Sequence, residues 1–255
     1  MIFTVLTLFP EITDAYFASS IMAKALNRGI IRYRPVNIRD FALDKHKTCD
    51  DAPYGGGPGM LMLAEPLSRA LESVGVGKKA PLSTPHTIYL TPSGRPFTQK
   101  RALELAAMEE IVLVCGRYEG IDQRIIDTYV DEEISVGDYV LSSGEIAALA
   151  LIDAVYRLVD RVITPESLEE ESFSGGLLEY PQYTRPEIFD TMKVPEVLLS
   201  GHHEQIRRWR LEKRIEKTRA FRPDLLEQGQ RDGLFDAETL KLLSKLIEEG
   251  KKNDE

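Results

Sequence analysis

Short apolar runs alternate with helix-like patterns through the first 160 residues of the chain. The runs at 2–9, 86–90 and 111–115 have the length and apolar character of buried strands. Between the last two, residues 98–108 have the spacing of a helix. A strand, a helix and a second strand at these lengths predict parallel strands joined by a helical crossover. This alternation therefore predicts an α/β fold with a parallel sheet.

Four other segments extend the pattern. Residues 31–38 predict a strand, and Pro35 indicates that it lies at an edge or is bent. Residues 134–136 predict a further short strand, and residues 60–74 carry apolar side chains three and four positions apart, as on one face of a helix. Residues 144–159 are apolar almost all round, which predicts a helix buried on more than one side.

The composition changes between residues 160 and 175. An acidic stretch with Pro165 and four glutamates precedes the glycine-bounded segment 172–176. Such a segment is typical of a linker. We expect a first domain over residues 1–160, a linker over 161–175 and a smaller helical domain over 176–255, with helices beginning near His202, Pro223 and Asp236.

The charge of the chain is acidic overall but locally basic. With 32 Lys and Arg against 41 Asp and Glu, the net charge of −9 excludes a uniformly basic nucleic-acid coat protein. Residues 202–222 nevertheless hold eight Lys or Arg and three Glu, a net charge of +5. Arginines at 207, 208 and 210 spread over a broad helix face that could meet phosphates, and a solvated surface helix is the alternative.

Cysteine and histidine usage argues against a structural zinc site or a disulfide framework. The two cysteines, Cys49 and Cys115, are 66 residues apart, and the four histidines lack metal-ligand spacing. The apolar N-terminus is interrupted at Pro10, and no run of about 18 apolar residues follows. We expect a cytoplasmic protein that binds no membrane.

Glycine-bearing loops are the candidates for a binding site. Residues 54–60 contain four glycines, which leave backbone N–H groups bare for a planar or anionic group, although a flexible turn is the alternative. This loop is neither a dinucleotide fingerprint nor a phosphate-binding loop of the Walker type, which argues against common NAD and ATP enzymes. Loops at 89–94, 115–120 and 136–144 follow predicted strands. Ligands of parallel sheets bind beyond such strand ends, so the three loops predict a cleft for one small molecule.

Five motifs carry a resemblance to a known family. They are YGGGPGM (54–60), YLTPSGRPF (89–97), CGRYEGID (115–122), GDYVLSSGE (137–145) and GLLEYPQYTRPE (176–187). In this order they resemble the bacterial tRNA (guanine-N1-)-methyltransferase family over nearly the whole chain. That family methylates the guanosine at tRNA position 37, next to the anticodon. It belongs to the knotted SPOUT methyltransferases, so the resemblance implies an α/β domain with a C-terminal trefoil knot and a small all-α C-terminal domain.

The resemblance implies S-adenosyl-L-methionine as methyl donor, bound in a bent shape by the knot loops. The implied cofactor-binding residues are Tyr89, Leu90, Thr91, Pro92, Gly116, Tyr118, Glu119, Val136, Gly137, Asp138, Tyr139, Val140, Leu141, Ser143 and Gly144. The implied substrate-binding residues are Gly55, Gly56, Gly57, Pro58, Gly59, Met60, Ser172, His202, Arg207, Arg208 and Arg210.

The catalytic residues implied by the resemblance are Glu171 and Arg157. Glu171 stands where the family carries an aspartate that acts as general base, and Arg157 matches an arginine that offsets charge on guanine O6. From the residues alone, a glutamate in an acidic linker is typical of a solvated side chain. The resemblance also implies a homodimer with composite sites, tRNA as partner and Mg²⁺, for which no ligand set is evident in the sequence. A non-catalytic RNA-binding protein and a ribose methyltransferase of the same superfamily are the alternatives.

Overall fold

The computed structural model describes residues 1–78, 85–164 and 170–253, with side chains to residue 246. The chain separates into two compact units, Met1–Ile163 and Thr164–Glu255. The division falls inside the predicted linker, of which residues 165–169 lie outside the described residues. The roles assigned to the two domains stay predictions.

The first unit is built on a five-stranded parallel sheet. The strands of this unit are β1 (Ile2–Thr7), β2 (Arg32–Asn37), β3 (Asp50–Asp51), β4 (Leu61–Met62), β5 (His86–Pro96), β6 (Glu110–Cys115) and β7 (Glu132–Ser135). Five of these form the sheet in the order β2-β1-β6-β5-β7, and each neighbouring pair is parallel. The predicted α/β class is confirmed, and Pro35 lies on the edge strand β2. The trefoil knot stays a prediction.

Helices cover both faces of this sheet. They are α1 (Pro10–Phe17), α2 (Ser20–Asn27), α3 (Ala64–Ser73), α4 (Gln99–Ala106), α5 (Gln123–Tyr129) and α6 (Gly144–Tyr156). Successive residues of β6 point to opposite faces. Ile111 and Leu113 pack in a core with α6, and Val112 and Val114 pack in a second core with α3 and α5. The prediction that residues 144–159 form a helix buried on several sides is confirmed over α6.

One predicted helix begins later than expected, and one helix was not predicted. Residues 60–74 do not form one helix: Leu61 and Met62 pair with β3, and α3 begins at Ala64 with Pro66 in its first turn. Pro10 interrupts the apolar run as predicted, but it also begins α1, because proline is favoured at the first positions of a helix.

The second unit is mainly helical. It contains α7 (Glu196–Leu199), α8 (His203–Phe221), α9 (Pro223–Arg231) and α10 (Ala237–Asn253), with a short hairpin of β8 (Ile188–Phe189) and β9 (Met192–Lys193). Leu177, Ile215, Leu226 and Leu243 form its core. The Asp236 carboxylate accepts a hydrogen bond from the Thr239 N–H at 2.8 Å, which caps α10 as predicted. The hairpin departs from the implied all-helical composition, since its strands are too short to give a periodic signal.

Candidate functional site

Three loops meet at the carboxyl edge of β5, β6 and β7. Because these strands are neighbours and parallel, their following loops converge at one edge of the sheet. They enclose a cavity of about 210 Å³. Every cofactor-binding residue implied by the resemblance lines this cavity except Asp138. The convergence predicted from the three loops is confirmed.

Close backbone packing forms the floor of this cavity. The Gly144 N–H donates to the Gly116 carbonyl at 2.9 Å. The backbones of Arg117 and Ser143 form an isolated antiparallel β-bridge. A Cβ on Gly144 would lie 2.8 Å from the Cys115 Cα, so only glycine lets the start of α6 approach β6 this closely.

The buried Tyr89 ring supports the middle loop. A Cβ on Gly116 would lie 2.9 Å from the Tyr89 hydroxyl. Burial is the main reason that the pKa of Tyr89 lies above its ordinary value, so the phenol stays protonated. The cavity therefore has an uncharged aromatic wall next to bare backbone.

The loop after β7 forms the mouth of the cavity. The Ser135 hydroxyl donates to the Gly137 carbonyl at 3.0 Å and accepts from the Gly137 N–H at 3.2 Å, which fixes the start of the loop. Beyond it, Val140 is 84% exposed and Tyr139 about half exposed. Exposed apolar side chains at a cavity mouth are available to cover a ligand.

A buried ion pair beside the cavity was not predicted. Glu145, in the first turn of α6, is fully buried, and its Oε1 accepts a hydrogen bond from the Thr7 hydroxyl at 2.5 Å. Its Oε2 lies 3.6 Å from Nε of Arg117, a cavity residue whose guanidinium also lies over the Phe9 ring. Thr7 and Glu145 are 138 residues apart, so sequence spacing gives no signal of this contact.

The glycine-rich loop adjoins the same cavity. Gly55, Gly56, Gly57 and Gly59 all have positive φ, which only glycine adopts at little cost. At the end of the loop the Glu119 N–H donates to the Met60 carbonyl at 3.0 Å, and a Cβ on Gly59 would clash with the Glu119 side chain. Tyr54, which begins the loop, lines a second cavity of about 760 Å³. The implied substrate loop and the implied cofactor loops therefore lie side by side.

The two implied catalytic residues belong to different units. Arg157 is half-buried at the C-terminal cap of α6 in the first unit. Glu171 is half-buried in the second unit, where its carbonyl accepts a hydrogen bond from the Ser174 N–H at 3.0 Å. The neighbouring Ser172 hydroxyl accepts from the Glu179 N–H at 3.1 Å. Each side chain is thus presented by a defined backbone turn of its own unit.

Comparison with known proteins identifies the family. A model of the family described as tRNA (Guanine-1)-methyltransferase TrmD matches residues 1–228. The chain belongs to this family. The resemblance carried by the five motifs is confirmed, and the chain is an enzyme.

Relatives in this methyltransferase family are similar over almost their whole length. The tRNA (guanine-N(1)-)-methyltransferase of Treponema denticola is 63% identical over 249 residues, which cover 98% of this chain and 100% of that protein. The protein of the same name from Treponema pallidum is 60% identical and covers 95% of this chain and 94% of its own. The one from Borreliella burgdorferi is 62% identical, over 88% of this chain and 92% of its own.

The arginines that the methyltransferase resemblance implies for substrate binding already form ion pairs within the protein. Arg207 donates to Glu204 and Glu238, and Arg208 lies 3.5 Å from Glu212. His202 is exposed at the N-terminal cap of α8, and the Arg210 guanidinium pairs with Glu170, as described below. Arg207, Arg208 and Arg210 thus all lie in ion pairs with glutamates.

The described residues offer no metal site and no membrane-spanning helix. Within them, no group of three or more His, Cys, Asp or Glu is arranged to hold a metal ion, and the implied Mg²⁺ has no support. No helix in the described ranges is both long and apolar enough to cross a bilayer.

Proposed function

We propose that this chain transfers a methyl group from S-adenosyl-L-methionine to N1 of the guanosine at tRNA position 37, with Glu171 as general base. The observation that carries the proposal is the convergence of three glycine-bearing loops on one cavity in a chain of this methyltransferase family. The position in the tRNA and the general base follow from the family resemblance.

The cavity suits an adenosine-bearing donor. Tyr89 and Val140 line it and offer apolar surface to a purine and a ribose. When bound, S-adenosyl-L-methionine supplies an electrophilic methyl group on a sulfonium and departs as the neutral thioether.

The target base is proposed to lie against the glycine-rich loop. Residues 55–60 adjoin Glu119 at the rim of the donor cavity, which would bring a purine edge close to a methyl group held there. A base within an RNA loop must be unstacked before it can enter such a pocket. Glycines without side chains leave room for a flat ring to approach the backbone.

The chemistry is assigned to Glu171 and Arg157. Guanine N1 carries a proton and is a poor nucleophile, so Glu171 accepts that proton while N1 forms its bond to the methyl carbon. Arg157 offsets the negative charge that gathers on guanine O6. Holding the two reactants in line can supply about 7–11 kcal/mol of the barrier reduction, so positioning supplies much of the rate.

Binding of the tRNA is proposed to use the second unit. Arg207, Arg208 and His202 on α8 would contact phosphates, with Ser172 near the target nucleotide, and the ion pairs to glutamates would exchange for phosphate contacts.

The family resemblance also supports a homodimer, a trefoil knot and a cytoplasmic location. We propose that one protomer supplies the donor loops and its partner supplies Glu171 and the helical unit. The exposed apolar residues Leu103 of α4 and Ile146 of α6 offer surface for such an association.

The donor assignment is tested by calorimetry with S-adenosyl-L-homocysteine, the product thioether. Heat of binding and a raised unfolding temperature are expected. The absence of both would contradict the donor assignment.

A further inference from the structure

We propose that Arg210 is a positioning residue that holds the turn carrying Glu171. It does so by pairing with Glu170 and packing on the Tyr180 ring, on either side of Glu171. The inference rests on the proposed function, in which Glu171 accepts the guanine proton. It assigns Arg210 a role in positioning the general base Glu171, instead of a contact with a tRNA phosphate.

The three side chains form a closed cluster inside the second unit. Arg210 Nη1 lies 3.0 Å from Glu170 Oε2, and the Tyr180 hydroxyl donates to the same oxygen at 3.0 Å. The Arg210 guanidinium also lies over the Tyr180 ring, 4.7 Å from its centroid. One guanidinium therefore joins the residue that precedes Glu171 to a residue nine positions after it.

The cluster is partly shielded from water. Arg210 and Glu170 are 38% and 39% exposed, and the Arg210 Nε is buried without a hydrogen-bond partner among the described atoms. Burial is the first reason, and the Glu170 hydrogen bond the second, that the pKa of Tyr180 is raised. Tyr180 therefore stays protonated and able to donate at neutral pH. With two partners on one carboxylate oxygen and a ring beneath the guanidinium, this pair fixes geometry better than a lone surface ion pair does.

Two further residues of α8 anchor the same turn. Arg214 donates to the Ser174 carbonyl at 2.7 Å, and the Thr218 hydroxyl accepts from the Leu178 N–H at 2.9 Å. Residues 210, 214 and 218 are spaced by four and share one face of the helix. A single stripe of α8 therefore holds the segment 170–180 along its length.

Hydrogen bonds within the turn carry this anchoring to Glu171. The Ser174 N–H donates to the Glu171 carbonyl at 3.0 Å, and the Phe173 N–H donates to the Leu177 carbonyl at 2.8 Å. With Glu170 held by Arg210, the backbone of Glu171 is fixed on both sides. A glutamate has one more rotatable bond than the aspartate that the family usually carries there, so its carboxylate depends more on a fixed backbone.

Arg210 therefore differs in its contacts from its neighbours Arg207 and Arg208. Those two pair with glutamates of α8 and α10. Arg210 instead pairs across the fold with the segment that carries the proposed base. Its loss should therefore slow the methyl-transfer step and leave tRNA binding nearly unchanged.

The test is the single-turnover rate of the full-length enzyme with saturating S-adenosyl-L-methionine and tRNA. Arg210→Met should lower this rate about 10- to 100-fold, the range expected when a reacting group is misplaced by roughly 1 Å. Arg210→Lys, which keeps one ion pair to Glu170, should recover part of the loss. Lys241→Met removes one charge from the exposed side of α10 and serves as the matched control, with an unchanged rate.

A second variant covers the case in which Arg210→Met fails to fold. Tyr180→Phe removes only the hydroxyl that donates to Glu170 and keeps the ring beneath Arg210. It should lower the single-turnover rate in the same direction, by less, with an unfolding temperature close to that of the parent. A parental rate for Tyr180→Phe together with a parental rate for Arg210→Lys would overturn the inference.

Combination with Glu171→Gln separates this inference from the proposed function. If Glu171 is the base and Arg210 acts through it, Arg210→Met should cause no further loss in the Glu171→Gln background. A parental rate for Glu171→Gln would refute the proposed function. Two results would refute only the positioning role, provided that Glu171→Gln is inactive. The first is a parental rate for Arg210→Met. The second is an Arg210→Met enzyme whose only change is a weaker and less salt-dependent affinity for tRNA.

Discussion

The side chain with the most specific proposed task is Glu171. It is half-buried beside a hydrogen-bonded turn, and the family resemblance assigns it the N1 proton of guanine. Glu171→Ala should lower turnover by about 10²–10⁴-fold, the usual contribution of a general base, because N1 would then have to attack while protonated. Initial rates with saturating tRNA measure this effect.

Cofactor affinity supplies the control for Glu171→Ala. Since the donor cavity is lined by residues of the first unit, calorimetry with S-adenosyl-L-homocysteine should give a nearly parental affinity. An affinity that falls in step with turnover would show that Glu171 acts in donor binding instead.

Arg207 and Arg208 should act on tRNA affinity and not on the chemical step. Each phosphate contact contributes about one unit to the slope of affinity against salt concentration on logarithmic axes. The double variant Arg207→Ala with Arg208→Ala should therefore weaken tRNA binding and flatten that slope, measured by filter binding at several salt concentrations. An unchanged slope would place the phosphate-contacting face elsewhere.

At the level of elements, α6 is tied to β6 by a glycine contact. Gly144→Ala would set a methyl group 2.8 Å from the Cys115 Cα, against backbone that cannot yield cheaply. We expect a lower unfolding temperature and a donor affinity reduced at least tenfold, because the first residue of α6 lines the cavity. Gly77→Ala, at an open position with ordinary φ, is the matched control, and equal effects of the two changes would contradict the account.

A polar cluster ties α4 to β5 and β7 and gives stability a pH dependence. Arg101 Nη2 lies 2.5 Å and His86 Nε2 3.3 Å from Glu132, with Glu104 and Asp131 also facing the cluster. Burial alone would raise the pKa of Glu132, but hydrogen bonds from His86 and Arg101 outweigh it and lower that pKa. A lowered pKa in the folded state means that the ionised form stabilises the fold.

The matching prediction concerns Glu132→Gln. Above about pH 5 the parent should have a higher free energy of unfolding than the variant, by the full amount. This difference should fade as the pH drops below about 4, where the carboxyl is protonated first in the unfolded and then in the folded state. Urea denaturation at several pH values measures it. A difference that persists at acid pH would contradict the assignment.

How far the sequence predicted these elements depends on the kind of signal. The apolar runs of β1 and β6 were clear because buried parallel strands are apolar on both faces. Helix α1 was missed because a proline such as Pro10 is found both where a strand ends and where a helix begins. A cleft for a small molecule was predicted because strand ends fix where loops meet. The pair of Glu145 and Arg117 depends on tertiary contacts that no local pattern contains.

For the molecule as a whole, the proposed reaction draws on both units. The first unit contains the cavity proposed for the donor, the glycine-rich loop and Arg157, and the second contains Glu171 and the basic helix α8. The acidic net charge of −9 and the local basic segment are then compatible, since only α8 and its surroundings need to meet phosphates.

The most direct test is methyl transfer from labelled S-adenosyl-L-methionine to two tRNA transcripts that differ only at position 37, followed by digestion to nucleosides. We expect labelled 1-methylguanosine from the transcript with guanosine at this position and almost no label in the transcript with adenosine. Equal labelling of both transcripts, or label recovered on the ribose, would contradict it.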